Sequence, residues 1–169
     1  MRILVAGMLA VMLTGCRQGA DPGRAVVSAD SADQTLVGVR TNLTTEGSRN
    51  GLIAADSAFV LQQSQRIDFR RIVVTLNNDE GAQVAVLTAP RAWYDLTTGI
   101  LKASGGVTVV NPRGDRLSSQ RMELDKGKKR FTSDTAYVFQ SDGVARFGKE
   151  LSSDWGLVAL RTGRATRAP

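Results

Sequence analysis

The sequence predicts an all-β protein, a single domain of stacked antiparallel strands that forms a curved, open sandwich. Three observations carry this prediction. Clusters of turn-forming residues recur at spacings of roughly 12–18 residues. The runs between these clusters are short and strand-like, and none carries an apolar stripe with the helical period of about 3.6 residues. A strand-turn-strand pattern also occurs three times along the chain.

The first residues predict an export signal. Arg2 precedes an apolar run at residues 3–13. This run is too short for a bilayer, which needs about 20 residues, and is typical of a signal peptide spanning residues 1–15. It ends in Leu-Thr-Gly-Cys16, which resembles the bacterial lipobox. That resemblance implies cleavage before Cys16, lipidation of its sulfur and acylation of the new N-terminus. Two or more acyl chains anchor a protein stably to a membrane.

The regions on either side of the domain have biased compositions. Residues 16–35 are rich in Gly, Ala, Ser and Asp without periodicity, which predicts a lipidated N-terminus followed by a flexible linker. The folded domain is expected at residues 36–160. Residues 161–169 are predicted to form a basic, disordered tail. Removal of the signal takes away one basic residue and no acid, so the formal charge falls from +6 to +5.

The repeated unit consists of two strands joined by a turn. Each first strand starts with an aliphatic residue, has a small residue two positions later and ends in an apolar residue at its eighth position. The predicted first strands are residues 53–60, 87–94 and 117–124. The predicted second strands are residues 67–76, 100–110 and 131–139.

The apolar alternation changes parity halfway along each first strand. In the second copy, Leu87 and Ala89 share one parity, whereas Ala92 and Tyr94 share the other. Strand side chains alternate with a period of two, so the change predicts an inserted residue, a β-bulge, in each copy. The predicted positions are Asp56 and Ser57, Pro90 and Arg91, and Gln120 and Arg121. Proline is accepted at bulges, which supports the second position.

These repeats resemble a known family. The pattern Leu87-x-Ala-x-x-Ala-x-Tyr-Asp, followed by Leu101-x-Ala-x-Gly-Gly-Val-x-Val, is similar to the OstA-like β-jellyroll of periplasmic lipopolysaccharide-transport proteins, closest to the LptC branch. The resemblance covers residues 36–160. It implies a protein without enzymatic activity that forms part of a bridge. This bridge carries lipopolysaccharide from an inner-membrane ABC transporter to an LptA-like periplasmic protein.

By this resemblance, inward-facing side chains would hold the lipid A acyl chains. Small alanines at inward positions would leave room for those chains. The predicted lipid-binding interior consists of Ile53, Ala55, Ala58, Val60, Phe69, Ile72, Val74, Leu87, Ala89, Ala92, Tyr94, Leu101, Val107, Val109, Leu117, Met122, Leu124, Phe131, Tyr137 and Phe139.

The resemblance also implies that the two sheet edges pair with partner proteins through main-chain hydrogen bonds. The N-terminal edge would face the transporter, and the C-terminal edge would face the next bridge protein. The predicted edge residues are Leu36, Val37, Val39, Thr41, Leu157, Val158, Ala159 and Leu160.

The anchor departs from the family pattern, because the best-known LptC members use a transmembrane helix. Lipid at Cys16 would tether this protein at the periplasmic face of a membrane. A transporter-docking role favours the inner membrane, and Arg17 directly after the cysteine leaves the outer membrane open. Two other interpretations also remain. One is a structural adaptor lipoprotein that pairs through its edges without carrying lipid, and the other is a soluble LptA-like shuttle.

Several functional classes are excluded by composition. With no His and one Cys, the chain cannot build a His/Cys metal cluster, a Cys-His pair or a Ser-His-Asp site, and no cofactor is expected. Asp95, Glu123 and Asp125 share no register that predicts glycosidase spacing. Ser118 and Ser119 have no His to act as a base. We therefore expect no catalytic residues and no enzymatic activity.

The sequence contains two basic clusters, and it does not decide between two roles for them. One lies in a turn at Lys126, Lys128, Lys129 and Arg130, and the other is in the tail. Both could be solvated surface, or they could attract the phosphates of lipid A or of an anionic membrane. Nucleic acid is not expected as a partner, because an exported protein does not meet it and the few aromatics are not interleaved with the charges.

Overall fold

The computed structural model describes residues 32–45 and 47–163. The described residues form nine β-strands and no helix: β1 (Gln34–Thr45), β2 (Ser48–Leu61), β3 (Arg66–Asn77), β4 (Gln83–Asp95), β5 (Ile100–Val110), β6 (Arg116–Asp125), β7 (Arg130–Ser141), β8 (Val144–Asp154) and β9 (Arg161–Thr162). The predicted signal peptide and Cys16 lie outside the described residues. So do most of the predicted linker and the tail from residue 164 onwards.

All nine strands belong to one antiparallel sheet, in which each strand pairs with the next along the chain. This arrangement confirms the predicted all-β fold. The three predicted first strands lie within β2, β4 and β6, and the predicted second strands within β3, β5 and β7. The boundaries differ slightly from the prediction. Gln34 already belongs to β1, and the predicted tail begins with β9, which pairs with Leu151 and Ser152 of β8.

One face of the sheet is buried along its whole width. The core runs from Leu43 on β1 to Leu151 on β8, and Val74, Leu76 and Leu87 within it are completely buried. The described residues include no helix to cover this face. A single sheet can then bury one face only by folding over onto itself.

Contacts between opposite ends of the sheet show this folding directly. In an up-and-down sheet, the β1–β2 and β3–β4 turns lie at one end and the β6–β7 turn at the other. A flat strand of 12 residues would hold these ends roughly 40 Å apart. Yet the Lys126 Nζ atom donates to the Thr44 carbonyl at 3.2 Å, and Lys129 forms an ion pair with Asp79. The strands therefore bend near their middle, and the two ends of the sheet meet.

A third contact between opposite ends of the sheet involves later strands. The Asn111 Nδ2 atom, in the β5–β6 turn, donates to the carbonyl of Gly156, in the β8–β9 connection, at 3.0 Å. We call the three contacts Thr44–Lys126, Asp79–Lys129 and Asn111–Gly156 the seam. The seam closes the side of the folded sheet that lies opposite the bend.

The first predicted bulge is not formed. Ala55 pairs with Ile72 and Ser57 pairs with Arg70, so no residue is inserted at this level of β2. Instead, Asp56 and Arg71 face each other without joining the ladder. Arg71 takes a left-handed conformation with a φ of 46°, and this conformation turns the chain without adding a residue.

The other two bulges lie at the predicted level but on neighbouring strands. The β4–β5 register shifts between Thr88 and Arg91, and the extra residue belongs to β5. There Gly105 and Gly106 have φ values of 91° and 94°, which glycine adopts without steric cost. The β6–β7 register shifts between Ser119 and Glu123, with the extra residue on β7. The predicted insertions at Pro90–Arg91 and Gln120–Arg121 are therefore placed on the wrong strands.

Buried hydroxyls replace the ladder hydrogen bonds that are lost at the β6–β7 bulge. Ser133 Oγ donates to the Arg121 carbonyl at 2.8 Å, and Ser119 Oγ donates to the Ala136 carbonyl at 2.9 Å. The two hydroxyls also lie 2.9 Å apart. Buried backbone carbonyls need hydrogen-bond donors, and these serine hydroxyls supply them where the bulge removes the ladder partners.

Candidate functional site

The predicted interior residues come together on the buried face. All of them except Val60 and Tyr94 lie in the core, and these two are half-buried. The parity change is also observed: Ala89 and Ala92 on β4 are both buried, although three positions separate them. The burial of these side chains is a structural fact, whereas their contact with lipid remains a prediction.

Sequence reasoning missed part of this interior. The additional buried apolar residues are Leu43, Leu76, Ala85, Ala103, Leu151, Trp155 and Leu157. Some carried a readable signal, because Leu76 lies two positions after Val74 and Ala103 lies two positions after Leu101. Trp155 and Leu157 carried none, because they follow the last long strand, where alternation ends.

A polar network holds one end of the seam. Asn111 Nδ2 donates to Asp115 Oδ2 at 2.8 Å as well as to Gly156. The same carboxylate oxygen accepts from the guanidinium of Arg113 at 2.7 Å, and the other carboxylate oxygen accepts from Ser141 Oγ at 2.6 Å. These bonds lower the pKa of Asp115 from its ordinary 3.8 to about 2, first through Ser141 and then through Asn111 and Arg113.

This lowered pKa predicts an acid-sensitive contribution to stability. Because the carboxylate is favoured in the folded state, its contribution is fully present above about pH 4 and is lost as the pH falls towards 2. We expect the free energy of unfolding to fall over this interval less steeply in Asp115→Asn than in the wild-type protein. Urea titrations at several pH values measure this slope. The control is Asp142→Asn, at an exposed position in the neighbouring turn, which should keep the wild-type slope. Equal slopes in wild-type protein and Asp115→Asn would contradict the assignment.

Two buried polar atoms near the seam have no partner among the described residues, Asn50 Oδ1 and Trp155 Nε1. The other amide atom of Asn50 lies 3.5 Å from Asp79 Oδ1, and Trp155 directly precedes Gly156. Buried polar groups are usually satisfied, because leaving one unpaired costs about 1–3 kcal/mol. Near the seam, one buried acceptor and one buried donor are therefore left without a partner in the described part of the chain.

The predicted N-terminal edge residues lie on a strand at one end of the described sheet. Leu36, Val37, Val39 and Thr41 belong to β1, and among the described strands β1 pairs only with β2. Val37 is 84% exposed. An exposed edge strand with apolar side chains is a template for pairing with another chain.

The C-terminal edge differs from the prediction. Residues 157–160 lie in the connection between β8 and β9 rather than in a strand, and Leu157 is buried in the core. The strand β9 covers only Leu151 and Ser152. The uncovered edge in the described sheet is therefore the first half of β8, where Phe147 is 71% exposed.

The side chains of the basic turn contact other groups of the protein and are not only solvated. Lys126 and Lys129 both contribute to the seam, and Lys126 also lies over the ring of Tyr94, with its Nζ atom 5.7 Å from the ring centre. Lys128 forms an ion pair with Asp125 at 3.3 Å. The guanidinium of Arg130 donates to Ser152 Oγ at 3.3 Å, so all four basic groups in this turn have partners inside the protein.

The acidic candidates have structural partners. Asp95 accepts from the backbone amides of Thr97 and Thr98 at 2.8 and 2.9 Å, and Glu123 pairs with Lys102 at 2.7 Å. In the described part of the chain, no group of three or more His, Cys, Asp or Glu side chains is placed to hold a metal ion. The same part contains no helix that is long and apolar enough to cross a membrane.

The fold and the buried face define a β-sheet protein whose folded sheet has a continuous apolar interior. A family model described as "Lipopolysaccharide-assembly, LptC-related" matches residues 3–154. The chain therefore belongs to the LptC-related family. Its role is in lipopolysaccharide transport, and proteins of this family are periplasmic transport components rather than enzymes.

One similar solved structure is LptH from Pseudomonas aeruginosa, described as the LptA homologous periplasmic component of the conserved lipopolysaccharide transport device. The two chains are 16% identical, with a TM-score of 0.49, and the match covers 67% of this chain and 81% of LptH. No curated protein matches the chain.

Proposed function

We propose that the folded sheet holds the acyl chains of lipopolysaccharide and passes this lipid from the inner-membrane ABC transporter to the next periplasmic bridge protein. The observation that carries the proposal is the form of the interior. Its apolar face continues from β1 to β8, and the seam that closes it is made of a few polar contacts.

An acyl chain that enters would replace apolar contacts between the two halves with contacts of its own. A chain of about 12 methylene groups gains roughly 10 kcal/mol when it is buried, at about 0.8 kcal/mol per group. The three seam contacts contribute about 1 kcal/mol each or less. Burial of apolar surface needs no directional contacts, so a chain held this way can slide and leave. These properties suit a carrier that must bind and release.

The seam is also the proposed exit for the sugars. Lipid held between the two halves of the sheet would have its polar end at the open side, where the halves meet. The free acceptor on Asn50 and the free donor on Trp155 lie there. Once the seam opens, Asn50 Oδ1 would accept from a hydroxyl group, and Trp155 Nε1 would donate to a hydroxyl or a phosphate that emerges from the interior.

The two edges would connect the protein to its partners. The edge of β1, with Val37 exposed, would pair with the transporter, and the first half of β8, with Phe147 exposed, would pair with the next bridge protein. Lipid at Cys16 would hold the chain at the inner membrane through the predicted linker. A soluble, LptA-like shuttle would use the same two edges without the lipid.

One observation favours a second function, that of an adaptor which pairs through its edges and carries no lipid. Val74, Leu76 and Leu87 are completely buried, so the interior is already filled with side chains. A close-packed core is stable without any ligand. In the carrier, by contrast, acyl chains would take the place of contacts between the two halves.

Photo-crosslinking separates the carrier from the adaptor. A diazirine amino acid at Ala92, which is buried, should give a lipopolysaccharide adduct in cells. The matched control is Thr88, an exposed position on the same strand, which should give little or none. Thermal melting of both variants checks that they fold. Adducts of equal yield at the two positions, or at neither, would refute the carrier and favour the adaptor.

A further inference from the structure

We propose that the outer face of the sheet carries a phosphate-binding site formed by Arg70 on β3 and Arg91 on β4. The outer face is opposite the apolar interior, and the site lies beside the bend. The inference therefore stands apart from the proposed lipid-carrying function.

The site begins with two arginines that face each other across neighbouring strands. Arg70 pairs directly with Arg91 in the β3–β4 register. Adjacent strands lie about 4.8 Å apart, so the two side chains start close together. The same row continues through Ser104 to Arg121, on β5 and β6. Like charges placed directly opposite each other destabilise a sheet. The fold alone therefore gives no reason for this pair.

The acids near this row are bound to other cations. Asp68 accepts from Arg66 at 2.8 Å, and Asp56 pairs with Arg71. Within residues 32–45 and 47–163, no carboxylate lies within 4 Å of the guanidinium of Arg70 or Arg91. The charge of the pair is consequently not neutralised by the protein.

The two arginines line a surface depression of about 250 Å³. Its charged lining consists of three arginines, Arg66, Arg70 and Arg91, and one acid, Asp68, which gives a net charge of +2. A neighbouring depression of about 620 Å³ has two basic and three acidic lining residues, a net charge of −1. An anion is therefore attracted to the smaller depression.

The chemistry of the lining matches a phosphate group. Guanidinium groups are planar and bind two phosphate oxygens at once. The hydroxyl of Ser104 and the indole of Trp93 also line the depression, and the guanidinium carbon of Arg66 lies 4.9 Å from the centre of the Trp93 ring. A phosphate with two negative charges would balance the net charge of the lining. Free phosphate and the phosphate of a lipid headgroup share this chemistry.

The test compares two double variants of the full-length protein. Arg70→Gln with Arg91→Gln removes the opposed pair. Arg40→Gln with Arg116→Gln removes the same charge from exposed positions elsewhere on the outer face. Binding is measured by calorimetry with sodium pyrophosphate, and by flotation with vesicles of equal parts phosphatidylglycerol and phosphatidylcholine.

We expect the first variant to bind at least one of these probes about tenfold more weakly than the wild-type protein, and the control variant to bind nearly as well as wild type. Loss of pyrophosphate binding identifies free phosphate as sufficient, whereas loss of vesicle binding alone identifies a headgroup. The melting temperature of the first variant should not fall, because an opposed like-charge pair is removed. Equal losses in both variants, a lower melting temperature of the first variant, or binding of neither probe by the wild-type protein would overturn the proposal.

Discussion

Covalent closure of the seam is expected to prevent lipopolysaccharide from loading. In a Cys16→Ser background, Asp79→Cys and Lys129→Cys introduce the only two thiols, since the natural chain has one cysteine. The native side chains at these two positions form an ion pair, so a short bismaleimide can bridge the cysteines. The bridge joins the β3–β4 turn to the β6–β7 turn, at opposite ends of the sheet. Its two halves then cannot separate.

We expect the bridged protein to bind at least about tenfold less lipopolysaccharide than the unbridged protein. The physical reason is that side chains already fill the interior, so an acyl chain enters only when the halves move apart. The measurement is co-purification of lipopolysaccharide with protein mixed with it before or after bridging. Protein loaded first and bridged afterwards should keep its lipid.

Two controls make the result specific. A linker with an internal disulfide is cut by reductant, and the same sample should then regain lipid loading. Each single-cysteine variant treated with the reagent should load normally, because one modified turn leaves the seam free to open. Normal loading of the bridged protein would show that lipid does not enter between the halves.

Replacement of Phe131 is expected to have the largest effect on stability. Phe131→Ala should lower the free energy of unfolding by about 3–5 kcal/mol, because it removes a completely buried ring and leaves a cavity. Phe131 lies opposite Leu124 on β6 and Ser153 on β8, so the cavity would open between three strands. Urea denaturation measures the change through a shifted midpoint with an unchanged slope.

The chain offers a matched control for this prediction. Phe147→Ala removes the same side chain from a position that is 71% exposed on β8, and it should change the free energy of unfolding by less than about 0.5 kcal/mol. Losses below about 0.5 kcal/mol in both variants would mean that the core does not depend on the inward face of β7. A large loss for Phe147→Ala alone would reverse the assignment of the two faces.

The strands were predictable because their signals are local. Turn clusters such as residues 77–81 and 141–143 mark the ends of strands, and apolar alternation marks the buried face between them. The β5 strand has the predicted bounds, Ile100–Val110. The buried positions on β4 and β6 follow the predicted change of parity, including Ala92 and Met122.

The bulge positions predicted from the apolar pattern were wrong for a physical reason. On β5, the inward residues Ala103 and Val107 are four positions apart, so an inserted residue leaves the parity unchanged. The insertion is therefore invisible in the apolar pattern. On β2, the parity changes between Ala55 and Ala58 although nothing is inserted, because β3 changes parity at the same level and the pairing keeps its register. Pattern alone cannot assign an insertion to one strand of a pair.

The sequence by itself determined the class of fold, the family and most of the interior. Each of these depends on alternation, turn residues and repeats over short stretches of chain. Only the tertiary structure decided which residues face each other across neighbouring strands and across the two ends of the sheet. The seam joins Asp79 to Lys129, fifty positions away, and the outer site depends on the register that sets Arg70 against Arg91. Such contacts arise only when strands pair in one register and the sheet folds at its middle, so no local pattern contains them.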